Sequence, residues 1–163
     1  MMKKRLGIAA TVLGLVAAGV AGGGNGAFAT PAKDFSPTQV IVGRFGDLDI
    51  HTHDIKLKTK DDSDVYVVTN VIKPGGHSGW HSHPGPSLIT VKEGTVTAYD
   101  ADDPTCTGQV YSAGMGFVDP GDGHVHLLRN EGPVDAVTVA VQFLPAGAPR
   151  RIDAPDPGVC HIL

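Results

Sequence analysis

The stretch GGHSGWHSHPGPS, from Gly75 to Ser87, decides how the rest of the sequence is interpreted. It places His77, His81 and His83 within seven positions, directly after a pair of glycines. In a β-strand, residues i and i+2 point to the same face, so the imidazoles of His81 and His83 are expected to share one side. The stretch therefore indicates a candidate metal site within β-structure.

A second pair of this kind, His124 and His126, follows the turn formed by residues 120–123. Exposed strands carry a single H-x-H by chance, whereas two such pairs that each follow a glycine turn are a more specific signal. Two pairs on neighbouring strands that face one interior would offer up to four imidazole nitrogens, which is enough to hold a metal ion.

Short segments rich in β-branched residues recur between residues 40 and 144, and turn sequences such as Lys73–Gly76 and Asp119–Gly121 separate them. No segment in this region carries a long helical period of apolar residues. Many short strands with regular turn signals predict an all-β sandwich or barrel in a single domain.

The first 29 residues have the pattern of a signal peptide. A basic start with Lys3, Lys4 and Arg5 precedes a short apolar run, and Ala27-Phe28-Ala29 provides a cleavage site near Ala29. An uncleaved anchor is the alternative, but the apolar run is shorter than the roughly 18 residues of a membrane-spanning helix. We therefore expect a secreted or extracytoplasmic protein with no membrane association after cleavage.

The chain beyond the predicted signal peptide is acidic. Three of the 13 basic residues lie in that peptide, so ten remain against 17 acidic residues, a formal charge of −7. This charge disfavours nucleic acid as a partner. The remaining sequence divides into a loose N-terminal arm (30–39), a β-barrel domain (40–145) and a C-terminal coil tail (146–163).

The chain contains two cysteines, Cys106 and Cys160. Export would place them where a disulfide persists, and neither belongs to a C-x-x-C pattern. We expect a Cys106–Cys160 disulfide that ties down the tail, with two free thiols as the alternative.

The spacing of these residues resembles the two motifs of the cupin family. The first motif falls on Gly75, His81, His83, Ser87 and Gly94. Ser87 stands where the family has a glutamate. The second motif falls on five further positions, with one extra residue between its proline and its glycine. These positions are Gly114, Pro120, Gly123, His126 and Asn130.

The resemblance implies a jelly-roll β-barrel in which His81, His83 and His126 bind a divalent metal ion. His124 is an open alternative for a fourth ligand. Because serine is a poor ligand, the expected site is three imidazoles with open positions. Nitrogen ligands favour Fe(II), Cu(II), Ni(II) or Zn(II), with Mn less suited. His77 and Tyr99 are candidate catalytic groups. The alternatives are that His77 lies in an exposed loop and that Tyr99 belongs to the core.

Two functions follow from this interpretation. The first is a small non-haem oxygenase-type metalloenzyme, hence a metal-dependent dioxygenase or another oxidoreductase, acting on a small-molecule substrate. The second is a non-catalytic cupin that binds a sugar or metabolite, with a structural metal or none. The resemblance also implies a homodimer as the expected assembly.

Overall fold

The computed structural model describes residues 28–160 and 162–163, which form β-structure without any helix. The predicted signal peptide lies outside the described residues except for its last two positions. None of the described residues belongs to a helix able to span a membrane. Along the described residues the strands are β1 (Lys33–Phe45), β2 (Asp49–His51), β3 (Lys56–Lys58), β4 (Ser63–His77), β5 (His81–Ser82), β6 (Ser87–Glu93), β7 (Thr95–Asp100), β8 (Gln109–Ser112), β9 (Gly116–Asp119), β10 (His126–Arg129), β11 (Ala136–Pro145) and β12 (Ile152–Asp153).

The strands pair antiparallel and curl into a nearly closed barrel, as expected for a jelly roll. The main path runs β12-β5-β10-β4-β11-β6-β9, with β1 beside β4 and β7 between β10 and β8. Strands β2 and β3 form a separate exposed hairpin. The all-β prediction is confirmed.

The interior of the barrel is apolar at one end and polar at the other. On β6, Ser87 and Val91 are buried while Leu88 is exposed, which is the alternation of a strand with one inward face. On β11, inward positions run from Ala136 at the apolar end to Gln142 at the polar end. The polar end holds His81, His83 and His126 and is the candidate site.

The N-terminal arm differs from the sequence prediction. Instead of a loose segment, residues from Lys33 onward belong to β1, which pairs with β4 from Lys33 opposite His77 to Phe45 opposite Ser63. Pro37 is compatible with this position, because one side of an edge strand needs no hydrogen-bond donors. A register shift next to Pro37 accommodates it.

The C-terminal tail is mostly coil, but a strand pairing and a disulfide attach it to the barrel. Ile152 and Asp153 form β12 and pair with β5. The disulfide between Cys106 and Cys160 fixes the end of the tail, with the two Cα atoms 5.3 Å apart, so the predicted pairing is confirmed. The part of the tail between β11 and β12, residues 146–151, therefore crosses the polar end of the barrel.

Candidate metal centre

Three histidines from two distant parts of the sequence meet at the polar end of the barrel. His126 opens β10 and pairs directly with His81 of β5. The ring centroids of His81 and His126 are 4.4 Å apart, and His83 lies 4.9 Å from His81 and 5.4 Å from His126. The three ligand atoms lie within 4.8 Å of one another, so one ion could contact all three.

Each of the three rings has its Nδ1 atom beside a backbone carbonyl oxygen. A ring that donates through Nδ1–H keeps its lone pair on Nε2, and such a hydrogen bond typically orients a metal-binding histidine. The three Nε2 atoms are therefore free to bind an ion. The carbonyl partners are Gly79 for His81 (2.9 Å), Arg150 for His83 (2.7 Å) and His124 for His126 (3.3 Å).

Burial keeps these rings neutral. It lowers the pKa of His81 well below the usual 6.5, and it lowers the pKa of His126 to about 4. Burial also lowers the pKa of His83. Because a metal ion binds the neutral imidazole, the ligands stay in their binding form in mildly acidic solution.

These lowered pKa values predict how the metal-free protein responds to acid. Between pH 6.5 and about 4, the unfolded chain takes up protons on these histidines while the native state does not. The free energy of unfolding is therefore expected to fall as the pH is lowered through this range. Urea unfolding of the chelator-treated protein at pH 7.0, 6.0 and 5.0 measures the slope, and a His126→Gln variant should reduce it. An equal slope in that variant would contradict the assignment.

Ser87 occupies the wall of the site without supplying a charge. Its side chain is buried, and its Oγ atom accepts a hydrogen bond from Gln142 Nε2 at 3.2 Å. A buried acid, Asp119, pairs with Ser87 across β9 and β6. Asp119 Oδ1 lies 3.6 Å from His126 Nδ1, so its negative charge stands behind a predicted ligand rather than at the Ser87 position.

His124 does not join the three-histidine cluster. It precedes β10 in a turn, so the strand alternation that places His126 inside the barrel does not extend to it. Its ring is stacked on that of His126, with centroids 5.8 Å apart, and its nitrogens face Asp100 and Asp119. The structure therefore places His124 in a second group, on the Nδ1 side of the His126 ring.

His77 and Tyr99 are buried, but neither lines the cavity next to the three histidines. His77 Nδ1 accepts a hydrogen bond from the Gly79 backbone at 3.2 Å. Tyr99 packs with Trp80 near the disulfide and donates to Glu131 Oε1 at 2.9 Å. We therefore assign no chemistry to either residue in the function proposed below.

A cavity of about 250 Å³ opens next to the three histidines. Its wall combines apolar side chains with Ser87, Gln142 and two arginines from the tail, Arg150 and Arg151. Arg151 pairs with Asp153, which is also on the wall. Arg150 has no carboxylate partner among the described residues, and its Nη1 donates to Gln142 Oε1 at 3.3 Å. The cavity therefore presents one unpaired positive charge.

The donor set fits a divalent transition metal. Three neutral imidazole nitrogens with adjacent open space match metal sites that keep a position for water or substrate. Nitrogen-only ligands suit Fe(II), Cu(II), Ni(II) and Zn(II), whereas Mn(II) prefers oxygen. His81, His83 and His126 would hold the ion.

The paired histidine motifs lie within a region that matches a known family. Residues 68–142 match the family model described as the cupin domain. This region is a cupin domain. It contains β5 to β10, most of β11 and every residue of the three-histidine cluster. The tail that crosses the cavity lies outside the matched residues.

Solved structures resembling the cupin domain include several types of protein. An uncharacterized conserved protein with a double-stranded β-helix domain from Klebsiella pneumoniae is 25% identical, with a TM-score of 0.47 over 55% of this chain and 74% of that chain. An oxalate oxidase is 26% identical, with a TM-score of 0.46 over 54% of this chain and 45% of its own. The polyketide cyclase RemF from Streptomyces resistomycificus is 18% identical, with a TM-score of 0.47 over 57% and 64%. The chain thus covers less than two thirds of the oxidase and of the cyclase. A search of the curated proteins gave no match.

Three residues of the site were not predicted as such from the sequence. Gln142 could have been found, because it is a polar residue at an inward position of the alternating strand β11. Asp119 immediately precedes Pro120, and the sequence indicates only its place in the turn Asp119–Gly121. No sequence pattern indicated Arg150, because its place in the cavity depends on the path of the C-terminal tail.

Proposed function

We propose that this protein is an exported, metal-dependent enzyme of the non-haem oxygenase type that acts on a small oxygen-bearing anion. The observation that carries the proposal is the cluster His81, His83 and His126, whose free Nε2 atoms border an open cavity. When bound there, a redox-active ion such as Fe(II) or Cu(II) would supply the chemistry of oxygen activation. The confirmed disulfide supports export, because disulfides persist in oxidising compartments.

The charge of the cavity supports an anionic substrate. The three imidazoles are neutral, and no carboxylate replaces the family's glutamate at Ser87, so a divalent ion would keep its full charge. Arg150 adds a guanidinium that stays protonated although burial lowers its pKa. A guanidinium binds a carboxylate through two parallel hydrogen bonds, which fixes the orientation of the bound molecule.

The protein side chains divide the work of binding. Arg150 would hold a carboxylate, while Gln142 bridges that guanidinium to Ser87 and fixes its direction. Val68 and Ile89 supply apolar parts of the cavity wall, which would exclude water from a bound substrate. A cavity of about 250 Å³ suits a small metabolite.

An Arg150→Met variant tests the anionic substrate. We expect the affinity for small carboxylates to fall by about tenfold or more, because a hydrogen bond to a charged group contributes about 1.5–3 kcal/mol. Calorimetric titration of mono- and dicarboxylates and their matching amides would measure this. Arg44→Met, in an arginine away from the cavity, is the control. Equal binding of acids and amides would contradict the proposal.

Oxygen uptake by the Fe(II)- or Cu(II)-loaded protein, measured with the carboxylates that bind, tests catalysis. We expect uptake that depends on both metal and ligand and that His83→Ala abolishes. Binding without uptake would instead favour the second candidate, a non-catalytic cupin that holds a small metabolite.

Within the proposal, a homodimer is the expected assembly, and light scattering of the mature protein tests it.

A further inference from the structure

A second cluster of potential metal ligands lies on the Nδ1 side of the His126 ring. It consists of Asp119 at the end of β9, His124 in the following turn and His126 itself. One ligand atom from each of these residues lies within 4.8 Å of the other two. None of the three residues is more than partly exposed.

The carboxylate of Asp119 is incompletely compensated. Asp119 is 4% exposed, and Oδ2 has no hydrogen-bond partner. The contacts fall on Oδ1, from the Gly121 N–H at 3.1 Å, His124 Nδ1 at 3.3 Å and His126 Nδ1 at 3.6 Å. No lysine or arginine of the described residues pairs with it. A buried carboxylate costs several kcal/mol unless a cation or hydrogen bonds offset its charge.

His124 contacts this carboxylate through its Nδ1 atom. Nδ1 is hydrogen-bonded to Asp119 Oδ1 at 3.3 Å, and Nε2 lies 3.4 Å from Asp100 Oδ1 on the other side of the ring. A cation bound to Nδ1 would take the place of the shared proton, and the ring would then carry its proton on Nε2, which faces Asp100.

The distances around Asp119 Oδ1 suit such a cation. Ligand atoms of a tetrahedral Zn(II) ion, at about 2.0–2.2 Å from the metal, are about 3.4 Å from one another. The separations of 3.3 and 3.6 Å from Asp119 Oδ1 to the two histidine nitrogens bracket this value. A cavity of about 210 Å³ beside these residues leaves room for a water ligand.

We propose that Asp119, His124 and His126 form a second divalent metal site and that the His126 ring bridges it to the first. Two imidazole nitrogens and a carboxylate suit Zn(II) or Cu(II). As the second ion binds Nδ1 of His126, that nitrogen releases its proton to solvent and the ring becomes an imidazolate. The proposed second site shares His126 with the three-histidine cluster and does not depend on oxygenase activity.

Zn(II) titration of the chelator-treated protein, followed by calorimetry and elemental analysis, tests the second site. The wild type is expected to bind two tight equivalents, and His83→Ala and His124→Ala one each. Asp119→Asn, which keeps the shape of the side chain, should weaken one equivalent by tenfold or more. His51→Ala removes an exposed histidine outside both clusters and should leave two equivalents.

A wild type that binds a single tight equivalent would overturn the second site, and so would a His124→Ala variant that keeps both. Paramagnetic resonance of the Cu(II)-loaded protein tests the bridge separately. We expect magnetic coupling between two ions that disappears in His124→Ala. Two uncoupled ions in the wild type would overturn the bridging role of His126. Neither readout depends on oxygen uptake, so these results remain distinct from a failure of the proposed activity.

Discussion

Replacing His83 with alanine is expected to lower the affinity of the three-histidine site for Zn(II) or Cu(II) by more than about 100-fold. Loss of a group that only supports a ligand typically costs 10–100-fold, and loss of a ligand should cost more. His83 offers a free Nε2 atom beside those of His81 and His126. Competition with a chelator of known affinity measures the change, and His51→Ala, in the exposed hairpin, is the control.

The His83 result must be separated from a folding defect. The melting temperature and circular dichroism of the metal-free variant report on the fold, and His81→Ala provides a second test from β5. We expect both variants to keep the β-sheet spectrum and lose the tight site. Unchanged metal affinity in two folded variants would contradict the assignment of the ligands.

Removing the disulfide by Cys106→Ser together with Cys160→Ser is expected to lower the free energy of unfolding by roughly 4 kcal/mol on the chain-entropy account. The bond closes a loop between residues separated by 54 positions, so its loss gives the unfolded chain much more freedom. Urea unfolding at pH 7 measures the change. A reduced wild-type sample is the matched control and should show the same loss.

The same double variant should also weaken carboxylate binding. Arg150 lies on the tail between β11 and β12, and the disulfide fixes the end of that tail. Without it the guanidinium is less firmly placed, so the affinity for carboxylates should fall while Zn(II) binding by the histidines persists. Unchanged stability and unchanged carboxylate affinity would together show that the tail does not depend on the bond.

The metal cluster was predictable because its information is local. Two-residue spacing gave His81 and His83 one face, and the motif spacing related them to His126 without knowledge of the strand order. The all-β fold was predictable for a similar reason, since turns and β-branched segments alternate along the chain. His83 and His124 both lie just outside a strand, so their spacing from His81 and from His126 did not decide which of them joins the cluster. The contacts of His124 with Asp100 and Asp119 place it in the second group.

The rest of the site depends on contacts between distant residues. Asp119 lies opposite Ser87 because β9 pairs with β6, and strand neighbours of that kind are not encoded in any short motif. Arg150 enters the cavity because β12 attaches the tail to β5. The strand character of residues 33–39 likewise arises from pairing with the long strand β4, which overrides a weak local preference.

X-ray absorption at the metal edge, measured on protein purified without chelators or added metal, tests the three-histidine centre most directly. We predict a bound divalent transition metal with nitrogen ligands at about 2.0–2.1 Å and the scattering pattern of imidazole rings. His83→Ala should lose that pattern or reduce it. A folded protein with its disulfide intact but no bound metal, or a metal without imidazole scattering, would contradict the account.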